Sequence, residues 1–304
     1  METDIVAARR AGAWLFWLVL LVMLSNPLAA DPYRDEIDEW HRQRLTSLQK
    51  PDGWLSLIGL EWLDDGHSYT LGSQADLELP DKAPPVLARV SRQGPRVRFK
   101  FEQPVLWGDQ SVLEAEVSTT EPEGEKPFRF GSLLWYVIER EGQVGLRIKD
   151  IQNPLRLGFE GIERFPVEAK WRVRARLDSR PTTVEVPSVL GGKSREDSPG
   201  EVVFTHEGRE YRLKALAEPG EAGLFIIFAD KTNGHSTYPA GRFLYTEPPE
   251  ADGSLWLDFN KAYNPPCAFT HFATCPLPPG QNRLDFEVLA GEKRYTSDTF
   301  PHKD

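Results

Sequence analysis

The sequence predicts a mainly β protein, in which an N-terminal helix is followed by two β-sandwich or barrel-like units joined by an irregular connector. Three segments of alternating apolar residues surround tight-turn dipeptides, a pattern typical of β-hairpins. Prolines and glycines separate nearly all the other short apolar segments, as sandwiches and barrels of short strands require. The turn dipeptides are Gln93-Gly94, Glu141-Gly142 and Glu207-Gly208.

The helix is predicted over residues 31–52, where apolar residues recur at the period of one helical face. Pro51 and Gly53 end this pattern. The predicted face consists of Tyr33, Ile37, Trp40 and either Arg44 or Leu48.

Two β units are predicted after the helix, over residues 53–150 and 151–304. The connector begins the second unit, because Pro154 and Pro166 remove backbone donors that a central strand would need. The polar segment 194–200 is predicted to be an exposed loop. Beyond the hairpins, strands are predicted at 54–63, 111–118, 171–177, 223–229, 242–245, 254–259 and 283–291.

The first thirty residues have the pattern of a secretory signal peptide. Arg9 and Arg10 precede an apolar run over 13–24, and small residues follow it. The run is shorter than the about 20 residues that a membrane-spanning helix needs, which favours cleavage near Ala30 and a periplasmic or secreted protein. Leu28 stands where a cleavage site prefers a small residue, so an uncleaved signal anchor in the inner membrane is the alternative.

The net charge of −10 excludes two classes of partner. Nucleic acids and anionic lipid surfaces are bound through concentrated positive charge, so we predict neither nucleic-acid binding nor membrane contact beyond the signal segment. The chain contains no P-loop, dinucleotide fingerprint, H-E-x-x-H or G-x-S-x-G motif, and we predict no cofactor. The oligomeric state is left open.

Two polar segments, 228–243 and 256–278, contain the candidate ligand site. Each continues an apolar strand into a long loop, and such loops often carry binding groups. Their carboxylates, phenols, amides and guanidinium could orient a small polar or saccharide ligand. The alternative is that these side chains only tie the two loops together. The candidate residues are Asp230, Tyr238, Arg242, Asp258, Asn260, Tyr263 and Asn264.

Three functions follow from this site, and the sequence leaves open whether the protein is an enzyme. The first is a binding or accessory module of the cell envelope. The second is an envelope hydrolase that uses Asp230 or Asp258 as general acid or base, with Arg242 polarising the substrate. The third is a purely structural envelope protein.

Both cysteines of the chain, Cys267 and Cys275, lie in the second loop. An oxidising compartment favours a disulfide between them. Free or redox-active thiols are one alternative. A metal site is the other, since the C-x3-H-x3-C spacing adds His271 as a third ligand, although this spacing is not a familiar zinc pattern.

Residues 68–99 resemble the opening of a forkhead-associated β-sandwich. Phosphothreonine recognition in that family uses an arginine after the glycine and a serine in the next loop, where this chain has Ser73 and Pro84-Pro85. The resemblance therefore implies a fold and no phosphopeptide function. The residues that carry it are Gly72, Asp76, Leu77 and Leu79.

A second resemblance covers roughly residues 50–295. The segments LFIIFADKTNGHSTYPAGRFLY and LDFNKAYNPPCAFTHFATCPLPPGQNRLDFEVLAGEKRY are its most specific parts. They are similar to the bacterial and archaeal family called domain of unknown function 1684 (DUF1684). This resemblance implies no reaction and no catalytic residues.

Overall fold

The computed structural model describes residues 31–121, 126–218 and 220–296. The predicted signal segment, residues 1–30, lies outside them. The described residues divide into two units between Glu39 and Trp40. The predicted fold class is confirmed, because an N-terminal helix is followed in the chain by a nearly closed barrel-like sheet and further sheets.

Helix α1 (Pro32–Leu48) begins with proline at its first position, where no intrahelical donor is needed. Within the first unit, the Asp31 carboxylate accepts a hydrogen bond from the Tyr33 amide at 3.1 Å and so satisfies one unpaired donor of the helix start. Within the second unit, Leu48 is buried beside Leu55 and Phe269. No helix among the described residues is both long and apolar enough to span a membrane.

The first sheet contains nine strands within the described residues, in the order β1-β9-β8-β7-β5-β4-β2-β3, with β6 paired to β5. Their inward-facing side chains form one apolar core, in which Phe99, Phe128 and Trp135 have no exposed surface. The strands are β1 (Leu57–Leu63), β2 (Ser68–Gly72), β3 (Leu77–Glu78), β4 (Ala88–Gln93), β5 (Arg96–Trp107), β6 (Gln110–Ser118), β7 (Phe128–Phe130), β8 (Leu133–Arg140) and β9 (Gln143–Asp150).

Two smaller sheets follow a short helix α2 (Pro154–Leu157). One has the order β12-β11-β10-β15 and the other pairs β13 with β14. Leu257, Phe228 and Leu244 belong to a core shared by these two sheets. The strands are β10 (Arg172–Pro187), β11 (Lys193–His206), β12 (Arg209–Ala215), β13 (Phe225–Phe228), β14 (Arg242–Tyr245) and β15 (Ser254–Asp258).

The three predicted hairpins are confirmed as β4–β5, β8–β9 and β11–β12. Glu141 and Gly142 have φ angles of 53° and 77°, and Glu207 and Gly208 have φ angles of 47° and 78°. Positive φ at both central residues is the mark of a type I′ turn, whose twist matches that of the strands it joins.

Two local predictions are wrong. Segment 194–200 is part of β11, not a loop, because its backbone pairs with β10 over an exposed hairpin where polar side chains are tolerated. Segment 283–291 contains no strand. The carbonyls of Val288 and Ala290 accept hydrogen bonds from the guanidinium of Arg242. The division into β units at residue 150 stays a prediction.

Candidate functional site

Asp230 and Arg242, at the two ends of the first candidate loop, form a buried ion pair. Arg242 is the first residue of β14 and pairs with Phe228, the last residue of β13, so the register of the hairpin brings Asp230 close to it. Arg242 Nη2 lies 2.7 Å from Asp230 Oδ2, and neither side chain has exposed surface. This pair is therefore inside the protein.

Most of the remaining bonds of the pair connect the loop to residues 288–292. Arg242 donates to the carbonyls of Val288, at 2.9 Å, and Ala290, while Asp230 Oδ1 accepts from the amides of Thr232, at 2.8 Å, and Val288, at 3.3 Å. Burial lowers the pKa of the Arg242 guanidinium, and the adjacent Asp230 carboxylate opposes this lowering only in part. The arrangement fixes the shape of this region and leaves no carboxylate oxygen of Asp230 facing solvent.

Asp258 and Asn260 fix the turn that follows β15. Asp258 Oδ1 accepts hydrogen bonds from the Asn260 amide and from Asn260 Nδ2, both at 3.0 Å. The Asn260 side chain also exchanges two hydrogen bonds with the backbone of Glu168, at 3.0 and 3.2 Å. Both residues are buried, at 7% and 3% exposure.

Asn264 and Glu292 hold the side chain of Arg44, which comes from the second half of α1. The Asn264 amide donates to Glu292 Oε2 at 2.7 Å. Arg44 donates from Nη2 to the Asn264 carbonyl at 2.9 Å and from Nε to Glu292 Oε1 at 3.4 Å. Burial raises the pKa of Glu292, and the charge of Arg44 opposes that rise.

Arg44 also lines a groove of about 280 Å³, here called the Tyr263 groove. Of the seven predicted ligand-binding residues, Tyr263 lines it. The other six lie outside its lining, and their ligand-binding role stays a prediction. The lining residues are Trp40, Gln43, Arg44, Ser47, Tyr245, Lys261 and Tyr263.

Aromatic rings form one wall of the Tyr263 groove. The Tyr245 and Tyr263 rings stack with centroids 6.3 Å apart and an interplanar angle of 10°. Trp40 lies 6.3 Å from Tyr263 in a tilted arrangement. The Arg44 guanidinium carbon lies 4.5 Å from the Tyr263 ring centroid, within the range of a cation–π interaction.

Burial raises the pKa of Tyr263 and, together with a hydrogen bond to Glu218, that of Tyr245. Both phenols are therefore protonated at neutral pH. The Tyr245 hydroxyl donates to Glu218, and Tyr245 as a residue is 39% exposed. The groove combines apolar ring surface with a guanidinium and an ammonium.

The predicted disulfide between Cys267 and Cys275 is confirmed, with Cα atoms 6.2 Å apart. The Tyr238 hydroxyl donates to the carbonyl of Cys267 at 3.1 Å, so this candidate residue braces the disulfide loop, and burial raises its pKa. His271 is exposed in the same loop. Across the parts of the chain that the structure describes, no group of three or more His, Cys, Asp or Glu side chains could hold a metal ion.

Sequence reasoning missed most of the groove. The sequence places Arg44 only on a helical face, and the bond of Arg44 to Asn264 spans 220 residues of sequence. An arginine in an otherwise apolar helical face is a signal that it meets an acidic partner, which here is Glu292. Tyr245 and Lys261 are close in sequence to the predicted ligand-binding residues but are not among them, and no sequence pattern distinguishes them.

Comparisons with known proteins agree with the sequence resemblance to the DUF1684 family. The model of the family described as protein of unknown function (DUF1684) matches residues 157–293. A solved solution NMR structure of an uncharacterized protein from Haloarcula marismortui is 33% identical, with 45% of this chain and 78% of that chain covered and a TM-score of 0.39. No curated protein matches the chain. The family model confirms the predicted likeness to the DUF1684 family over residues 157–293.

Proposed function

We propose that the protein is an exported binding or accessory protein of the cell envelope that holds a small polar or saccharide ligand in the Tyr263 groove. The signal pattern of residues 1–30 supports export, as does the disulfide, since disulfides persist in oxidising compartments. The groove is large enough for a small ligand, and the solvent-exposed residue Tyr245 lines it.

The observation that carries this proposal is the preorganised guanidinium of Arg44. Glu292 and Asn264 engage Nε and Nη2, whereas Nη1 makes no hydrogen bond to any residue that the structure describes. A side chain whose position is already fixed by hydrogen bonds within the protein loses little conformational freedom when it binds a ligand. Tyrosine and tryptophan rings beside a directional donor are a common way to bind a polar molecule with apolar faces, such as a sugar.

Binding without turnover fits the positions of the two aspartates better than hydrolysis. A general acid or base must reach the group whose proton it transfers. The side chain of Asp230 has no exposed surface and is paired with Arg242, and Asp258 accepts two hydrogen bonds from Asn260. Neither aspartate lines the Tyr263 groove.

The test is ligand-detected NMR with glucose, N-acetylglucosamine and glucuronate at millimolar concentration. We expect binding by the native protein and about tenfold weaker binding by Arg44→Gln and Tyr245→Ala, because each removes one wall interaction. Arg98→Gln is the matched control, since Arg98 also pairs with a glutamate but lies on the first sheet.

Equal binding by the Arg44, Tyr245 and Arg98 variants would refute the proposed groove. Absence of binding to all three saccharides would refute the saccharide class. Release of an aryl group from aryl glycosides, lost in Asp258→Ala, would instead establish a hydrolase.

A further inference from the structure

A second cationic site lies on the first sheet, around Arg147 of β9. Its strand neighbours Leu146 and Ile148 face the apolar core, so Arg147 lies on the opposite face of the sheet. Its cross-strand partner on β8 is Tyr136. Only 4% of Arg147 is exposed.

The guanidinium of Arg147 has neutral partners only. Nη1 lies 3.5 Å from the Tyr136 hydroxyl and Nη2 lies 3.3 Å from Thr274 Oγ1. Nε is buried and makes no hydrogen bond. Within the described ranges, no carboxylate lies at ion-pair distance from Arg147.

This environment contrasts with that of Arg242, the other deeply buried arginine discussed above. Arg242 has the carboxylate of Asp230 at 2.7 Å. A buried charge without a counter-charge is strongly unfavourable, because it has lost its hydration without gaining an opposite charge. Among the described residues, Arg147 therefore has no carboxylate partner comparable to Asp230.

Lys149 adds a second positive charge to the same place. The Arg147 guanidinium carbon lies 5.2 Å from the Trp54 ring and 6.0 Å from the Tyr136 ring, and Lys149 Nζ lies 5.9 and 5.5 Å from the same two rings. Lys149 Nζ donates to the Asp52 carbonyl, and within the described residues no carboxylate is at ion-pair distance from it. Both cations therefore lie within about 6 Å of the same two ring centroids, the range of a cation–π interaction.

Solvent reaches the surroundings of this pair. Trp54, Tyr136, Lys149 and Thr274, which surround the buried guanidinium, are all partly exposed. They place an ammonium and two hydroxyls close to the guanidinium. A phosphate group has enough acceptor oxygens to bond all of these donors.

We propose that Arg147, Lys149, Tyr136 and Thr274, here called the Arg147 cluster, bind a small oxyanion of the phosphate class. The anion supplies the counter-charge that the two cations lack and bridges the first sheet to the disulfide loop through Thr274. The cluster shares no residue with the Tyr263 groove, so its test is independent of the function proposed above.

Isothermal titration calorimetry with inorganic phosphate, at constant ionic strength set by sodium chloride, tests this site. We expect saturable binding with one site per chain. Arg147→Gln abolishes it, and Lys149→Gln weakens it about tenfold because one charge-assisted bond is lost. Arg98→Gln, which removes an arginine that is paired with Glu116, leaves the affinity unchanged.

Parallel titrations with sulfate and acetate distinguish the ligand classes. Binding of phosphate and sulfate with no binding of acetate supports a tetrahedral oxyanion, whereas tighter binding of acetate overturns that class. No saturable phosphate binding by the native protein, or equal binding by the native protein and Lys149→Gln, overturns the site. Lys149 is partly exposed, so Lys149→Gln decides the question even if Arg147→Gln does not fold.

Thermal unfolding gives a second readout. We expect phosphate to raise the unfolding midpoint of the native protein and not that of Arg147→Met, since a ligand that binds only the folded state stabilises it. If Arg147 serves only as a stacking residue, phosphate shifts neither midpoint, and the proposal fails.

Discussion

Asp230 and Arg242 carry opposite charges where no water reaches them. Removing two ions from water is costly, and their mutual attraction offsets this cost only when the remaining hydrogen bonds are also made. Here the backbone of residues 288–292 supplies most of those bonds, although Arg242 Nε stays buried without a partner. Loss of either side chain would therefore leave the other charge buried without a counter-charge.

Asp230→Asn removes one charge and leaves the other buried. We expect it to lower the free energy of unfolding by about 3 to 5 kcal/mol, because a buried unpaired charge is that costly. Urea unfolding followed by circular dichroism measures the loss. Arg98→Gln is the control: the Arg98–Glu116 pair is solvent-exposed, and we expect a change below about 1 kcal/mol. Equal losses for the two variants would contradict a structural role for the buried pair.

The disulfide loop shows how a short element can be held by several independent contacts. The Cys267–Cys275 bond closes it, the Tyr238 hydroxyl bonds its first cysteine, and Thr270 donates to the Leu57 carbonyl at 3.2 Å. The loop thereby joins the first sheet to the segment that follows β15. One disulfide and two hydrogen bonds therefore fix its shape.

Reduction of the disulfide removes one of these cross-links. The cysteines are eight residues apart, and closing so short a loop restricts the unfolded chain by about 2 to 3 kcal/mol. We expect urea unfolding with a phosphine reductant to show a loss of this size, and the Cys267→Ser/Cys275→Ser double variant to be insensitive to the reductant. Thiol titration of the unfolded protein without reductant should find no reactive thiol. Two reactive thiols would contradict the bond.

The β11–β12 pair carries a carboxylate that makes folding sensitive to acid. Hydrogen bonds from Gln281, Lys214 and Arg212 lower the pKa of Glu201 from 4.5 to about 2. A carboxylate whose pKa is lower in the folded state stabilises that state above pH 4.5, and this contribution is lost as the pH falls towards 2. The interactions of Glu201 with Arg212 and Lys214 of β12 and with Gln281 therefore weaken when the carboxylate is protonated.

Glu201→Gln removes that dependence. We expect the variant to be less stable than the native protein at pH 7 and the difference to shrink steadily below pH 4.5. Unfolding free energies measured between pH 7 and the lowest pH of reversible folding give this difference. Glu102→Gln, at an exposed pair with Arg89, should show no such trend. A difference that grows on acidification would contradict the assignment.

At the scale of the whole molecule, the sequence predicted what short-range patterns encode. The type I′ turns at Glu141-Gly142 and Glu207-Gly208 follow from adjacent residues, and the disulfide joins two cysteines that lie close together in the sequence. The polar stretch 194–200 looked like a loop because its partner strand, and not its own composition, makes it a strand.

The candidate site was predicted only in part, since its members come from distant positions. Tyr263 was identified as one of several polar residues in a loop, and it does line a groove. Arg44 and Glu292 are 248 residues apart, and nothing in either local sequence specifies the other. Such a pairing depends on how α1 packs, which periodicity alone does not determine.

Helix α1 supplies a wall of the Tyr263 groove from outside the segment that matches the family model. Trp40 and Arg44 precede residue 157, whereas Tyr245, Lys261 and Tyr263 lie within 157–293. A fragment cut at residue 50 would keep Glu292 and lose the cation that faces it. A truncated protein that is to retain the Tyr263 groove must therefore include helix α1.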